Sequence, residues 1–204
     1  EGSSTPLVTF TIVGNPLPLT FSLIASLDHT SKGIAFVGSN LYSVSKDDNI
    51  LRTINPADGT TISSVPITLT GKTITGGNGL ALNPIDGKLY ALLKAGGVGR
   101  LLVTIDPITG ISTNKGNTGD NFAGLAFDSS GILYGVTGDG AATPSTLFTI
   151  NTSTAVPSLV LSLGTTDGGG EAIAFNSLDG YLYHASGYPD LDVFEKINLS
   201  DNSR

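Results

Sequence analysis

The side chains in this chain able to do chemistry are mostly carboxylates and amides, and they recur at related positions. Four short apolar phrases run along the sequence, Gly33-Ile34-Ala35-Phe36, Gly79-Leu80-Ala81-Leu82, Gly124-Leu125-Ala126-Phe127 and Ala172-Ile173-Ala174-Phe175. The stretches leading into them carry Asp28, His29 and Lys32, then Asn78, then Asp120 and Asn121, then Asp167 and Glu171. If those stretches gather at one end of the fold, their oxygens form a mouth suited to Ca²⁺ or another hard divalent cation. The same residue types are the ordinary vocabulary of tight loops, where Asx side chains cap their own backbone. Loop formation alone accounts for their presence.

Other chemistries find little support. The 204 residues include no Cys, Met or Trp, which removes disulfides, Cys-ligated zinc, iron–sulfur clusters and thiol nucleophiles. Two histidines, His29 and His184, are too few for a His-based metal cluster, and His184 beside Tyr183 reads as a packed or surface strand residue. No Gly-x-Ser-x-Gly elbow occurs. Gly96-Gly97-Val98-Gly99 and Gly168-Gly169-Gly170 lack the Gly-Lys-Ser/Thr ending of a phosphate loop and read as connections. A net charge of −7 and a pI near 4.5 argue against nucleic acid. The expectation is a non-enzymatic protein with no cofactor beyond a divalent cation.

The elements that must position these residues follow from the repeat. Each apolar phrase is followed by a turn and then Leu-Tyr, at Leu41-Tyr42, Leu89-Tyr90, Leu133-Tyr134 and Leu182-Tyr183. Each unit continues to a segment ending in Ile plus Asn or Asp, at Ile54-Asn55, Ile105-Asp106, Ile150-Asn151 and Ile197-Asn198. The tyrosines are 48, 44 and 49 residues apart, a period that fits the blades of a β-propeller. Within a unit we expect strand a on the apolar phrase, strand b on Leu-Tyr, strand c up to the Ile-Asx pair, and an outer strand d, Thr-rich or apolar, at 60–67, 111–115 and 157–164. The third residue of strand a is always Ala, as expected of a strand crowded toward the axis. The tyrosines, at one register, read as blade packing in preference to a sugar-stacking ring.

One domain is expected over 1–204, with blades at 33–78, 79–123 and 124–171, a partial blade at 172–204, and residues 1–32 supplying strands c and d of a split blade. In that reading Leu7, Val8, Thr9, Phe10, Thr11 and Ile12 form a strand c and residues 19–26 a strand d. The N-terminal strand d could complete the last blade, leaving Leu7 to Ile12 over as an assembly strand. A small ring, a fragment of a larger one and a subunit completed by its neighbour all remain open.

The sequence Gly79-Leu80-Ala81-Leu82-Asn83-Pro84-Ile85-Asp86-Gly87-Lys88-Leu89-Tyr90, with Ile105-Asp106-Pro107-Ile108-Thr109-Gly110, resembles blades of exported microbial propellers of the NHL and YVTN surface-layer type. The resemblance spans about Gly33 to Asn198 and implies a binding or structural module. Glu171 and Asn78, just before their strands, are also similar to metal ligands of the senescence-marker-protein-30/gluconolactonase propellers. That likeness implies a lactonase-like hydrolase with Asp120 as the nearest match for the third ligand, though no general base is evident.

The chain starts without Met, has 24 Thr and 21 Ser, and shows no apolar run near the roughly 18 residues of a membrane span. It carries sequons at Asn151-Thr152-Ser153 and Asn198-Leu199-Ser200. We expect an exported or cell-surface protein, self-associating or binding other surface proteins or glycans, with a metal-dependent hydrolase and a lectin as alternatives.

Overall fold

Period-two apolar segments joined by short Asx- and Gly-rich turns fold as antiparallel meanders. The computed structural model describes residues 23–97, 99–164, 171–187 and 193–204. The first blade holds β1 (Ser31–Val37), β2 (Asn40–Ser45), β3 (Ile50–Ile54) and β4 (Thr61–Pro66), hydrogen-bonded in that order. The second holds β5 (Gly76–Leu82), β6 (Leu89–Lys94), β7 (Leu101–Ile105) and β8 (Ser112–Asn117). The third holds β9 (Phe122–Phe127), β10 (Leu133–Thr137), β11 (Thr146–Ile150) and β12 (Pro157–Ser162). The fourth has three strands among the described residues, β13 (Ala172–Asn176), β14 (Tyr181–Ser186) and β15 (Val193–Asn198). The chain is an all-β, four-bladed β-propeller.

The expected strands a, b and c fall on these elements. The outer strands β4, β8 and β12 are exposed or half-buried along most of their length, β4 and β8 mainly polar and β12 with Leu159, Val160 and Leu161 at its centre. The expected strand d at 19–26 is corrected where it can be followed, since residues 23–26 form no strand. Instead the segment is tied to the first blade by side chains: His29 Nε2 lies 2.7 Å from Ser43 Oγ, and Thr61 Oγ1 donates to Asp28. Leu7 to Ile12 lie outside the described residues.

Packing between blades follows one rule. In every blade the Ala of the inner strand stands directly opposite the Tyr of the next, as Ala35–Tyr42, Ala81–Tyr90, Ala126–Tyr134 and Ala174–Tyr183. A small residue across from a large one keeps that face level enough to receive a neighbour. The Ala–Tyr face of one blade meets the branched and aromatic face of the next. Tyr42, Val44 and Leu51 pack on Leu80, Leu89 and Val103; Ala81, Tyr90 and Leu92 pack on Leu125, Phe127 and Leu133. Ala126, Tyr134 and Val136 do the same with Ile173, Phe175 and Leu182. Inner strands β1, β5, β9 and β13 pack in sequence order, and no comparable packing joins β13 to β1 among the described residues.

The recurring Ile-Asx pair caps the turn after each third strand. The side-chain oxygens of Asn55, Asp106, Asn151 and Asn198 accept from the backbone N–H two residues on, at 2.8–3.0 Å. The residue that closes the second of these turns, Gly110, sits at φ 73°, and a Cβ there would run into the Pro66 carbonyl oxygen. Gly87, in the turn before β6, has φ 66° and open space around it. Gly110→Ala is therefore expected to destabilise the fold by more than about 2 kcal/mol, from backbone strain plus the clash, and Gly87→Ala by about 1 kcal/mol from strain alone. Urea denaturation of the two variants checks the difference.

Candidate functional site

The ends of the inner strands converge on a cavity of about 690 Å³ at the axis, lined by all four blades. Lys32 and Lys46 come from the first blade, Asn78 and Arg100 from the second, Asn121 and Asp139 from the third, and Glu171 from the fourth. Lys32, Asn78, Asn121 and Glu171 thus line one cavity, although Lys32 and Asn78 lie within strands β1 and β5 and not in the loops expected to carry them. Asp28, His29 and Asp120 are not among the residues lining the cavity, and Asp167 lies outside the described residues.

The three candidate metal ligands differ in what their atoms already do. Glu171 is buried, with Ser145 Oγ donating to Oε1 at 2.8 Å and His184 Nε2 hydrogen-bonded to Oε2. Asp120 accepts from the N–H groups of Asn121, Ala142 and Thr143 and from the Thr143 hydroxyl. Burial works against its ionisation, but these hydrogen bonds outweigh it and hold the carboxyl below its ordinary pKa. Its carboxylate therefore staples the loop before β11. Asn78 remains half-buried on the cavity wall. Among the described residues no group of three or more His, Asp or Glu side chains is placed to hold a metal.

His184 is neither a surface residue nor merely packed. Its ring is buried between two carboxylates, Glu171 at Nε2 and Glu195 at Nδ1 (3.0 Å), and Arg204 Nε bonds Glu195 at 2.8 Å. Burial opposes protonation of the ring, but hydrogen bonds and charge from both glutamates prevail and raise its pKa above 6.5. His184 and Glu195 are direct cross-strand partners, so this pair was readable once Leu182 was set opposite Ile197. The contact to Glu171 spans a strand and a loop and had no local signal.

Arg100 was also missed. Its Nη1 donates to Asn121 Oδ1 at 3.0 Å, while its Nε is buried without a hydrogen-bond partner. Among the described residues none of the ion pairs includes Arg100. Of the repeated tyrosines, Tyr42, Tyr90 and Tyr134 are buried in blade interfaces, as packing residues should be. Asn151 and Asn198 are capping residues of their turns, which gives each a structural reason to be Asn.

The two terminal blades show exposed apolar residues on their inner strands, and two of these, Ile34 and Ala172, also line the cavity. Ile34 and Phe36 of β1 are 57% and 53% exposed. At the other end Ala172 and Ala174 of β13 are exposed beside the half-buried Tyr183, on which Phe194 stacks.

No family model and no curated protein sequence matches the chain. Solved structures share the fold. A nutrient-binding protein from Bacteroides thetaiotaomicron has a TM-score of 0.59 at 11% identity, over 85% of this chain and 40% of that one. Hydrazine synthase of Kuenenia stuttgartiensis gives 0.57 at 14%, over 84% and 47%. A gluconolactonase from Xanthomonas campestris gives 0.55 at 17%, over 77% and 56%. The chain thus spans about half the length of each, and at these identities the likeness carries the propeller fold alone.

The His184 network makes a pH-dependent contribution to stability. A histidine whose pKa is raised by folding stabilises fully below its unfolded value, and the effect fades as pH rises through the folded value. The melting temperature should therefore fall as pH is raised above 6.5. His184→Gln should abolish that dependence and cost about 3 kcal/mol at lower pH, because it leaves the buried Glu171 carboxylate without its cation. Thermal melts between about pH 5 and about pH 9 read both effects.

Proposed function

We propose that this chain is a non-enzymatic, exported propeller module whose work is assembly, joining copies of itself into a filament or larger ring at the cell surface. The observation that carries the reading is the complementarity of the two terminal faces. Inside the chain, three interfaces mate an Ala–Tyr face with a branched and aromatic face. The fourth blade presents another Ala–Tyr face, with Ala174 opposite Tyr183, and the first presents Ile34 and Phe36. A second copy, blade four against blade one, repeats a contact the sequence has already made three times.

Such a contact is head-to-tail, so it propagates into a ring if the rotation closes and into a filament if it does not. Exposed apolar patches of this kind mark interaction surfaces on soluble proteins. The segment from Asp28 to Ser31 covers Ser43 on the first blade, while Ile34 and Phe36 stay exposed beside it. The abundance of Ser and Thr and the capped sequons at Asn151 and Asn198 agree with an exported, glycosylated surface.

Two variants test this. Phe36→Arg should disable the first-blade face and Ala174→Arg the fourth-blade face, each giving a monomer in analytical ultracentrifugation where the wild type assembles. Mixed together they should form a 1:1 dimer and nothing larger, because each supplies the face the other lacks. A monomeric wild type, or variants that assemble as the wild type does, would refute the proposal.

A further inference from the structure

We infer that the axial cavity binds a small carboxylate ligand, with the Arg100 guanidinium as its anchor. The argument is independent of assembly and starts from register. Arg100 and Ser145 occupy the same place in their repeats, five residues before Ile105 and Ile150. Each reaches across to the blade that follows. Ser145 donates to Glu171, the residue just before the inner strand of the fourth blade. The matching residue of the third blade, one before the phrase that begins at Gly124, is Ala123, which lies in β9 and lines the cavity. The repeat that supplies a carboxylate to Ser145 has Ala in the matching position of the third blade, so the larger and charged Arg100 has no carboxylate there.

Arg100 is consequently half-buried with a charge that no carboxylate among the described residues neutralises. Asn121 takes one guanidinium N–H, and the buried Nε keeps its proton unshared. A carboxylate accepts two parallel N–H bonds from a guanidinium, which suits an Arg whose donors are partly unspent. The surroundings agree. Of ten Lys and Arg side chains in an acidic chain, Lys32, Lys46 and Arg100 all line this cavity. Of its two carboxylates, Asp139 is exposed and Glu171 is bonded to His184. The Asn78 amide on the wall offers further hydrogen bonds to a polar ligand.

Glucuronate, glucose and inorganic phosphate are the probes, titrated calorimetrically at low salt. Glucuronate should bind, weaken as NaCl is added, and raise the melting temperature. Glucose, its neutral counterpart, should bind at least tenfold more weakly, and phosphate more weakly than glucuronate. Arg100→Gln should lose about tenfold or more in affinity, the scale of one charge-assisted hydrogen bond, and melt no lower than the wild type without ligand. Lys46→Gln, away from the guanidinium, should lose less. Glucuronate binding unchanged in Arg100→Gln, glucose binding as tightly as glucuronate, or phosphate binding tighter than both would overturn the assignment.

Discussion

A blade of this kind cannot stand alone, because both of its faces are apolar. Burying a Leu, Ile or Phe side chain is worth about 1.5–3 kcal/mol, and each interface between blades buries several. Everything else in the structure follows from meeting that demand by pairing unlike faces. The Ala–Tyr face is made by placing a methyl group across the ladder from a ring, and the branched face by Leu, Ile and Phe at the alternate positions. Because the two faces differ, blades stack in one direction only. A stack of finite length then leaves one face of each kind at its ends, as Ile34 and Phe36 at one end and Ala174 with Tyr183 at the other.

The same alternation explains why the buried charge is where it is. On β14, Leu182 and His184 point to the third blade, and Glu195 on β15 stands opposite His184. A charged ring in that layer would be costly unless paired, and Glu171 and Glu195 supply the pairing from a loop and from the neighbouring strand. Arg204 then neutralises the outer glutamate. The network ties the inner end of the last blade to Ser145 of the third, and so reinforces the apolar contact beside it. Ser145 holds this position at φ 46°, a left-handed conformation that a non-glycine residue adopts only at some cost.

Most of the fold was legible because a repeat shows its own register. Gly-x-Ala-x, Leu-Tyr and Ile-Asx each mark one strand or turn, and the structure places them on inner strand, second strand and capped turn. The Ala was legible as a constant but its reason was incomplete, since it answers the Tyr opposite as well as the crowding at the axis. The stretch before β1 was misread at residues 23–26, where an apolar look without a pairing partner suggested a strand. Site residues were harder. Lys32, Asn78, Asn121 and Glu171 were found because they stand at or just before the start of the apolar phrases. The inner strands that carry those phrases must converge, although Lys32 and Asn78 themselves lie inside β1 and β5. Arg100 and Ser145 precede third strands, β7 and β11, and only the reach of their side chains brings them to partners in the next blade.

That reach links the chemistry to the architecture. In an array of similar blades, a residue at one position always faces the same position of the next blade, so changing either partner alone leaves an unmatched group. Between blades three and four the pair is Ser145 and Glu171, and the carboxylate is absorbed by hydrogen bonds within the chain. Between blades two and three the corresponding positions hold Arg100 and Ala123, a charged donor without a carboxylate among the described residues. Repetition makes the fold economical to encode, and a single break in the repeat is what creates a site. The polar groups that the chain satisfies internally, Asp120 and Glu171, are therefore spent on structure, and the group left over at the axis is a cation. The carboxylate ligand we propose for this axis would be held by those leftover donors.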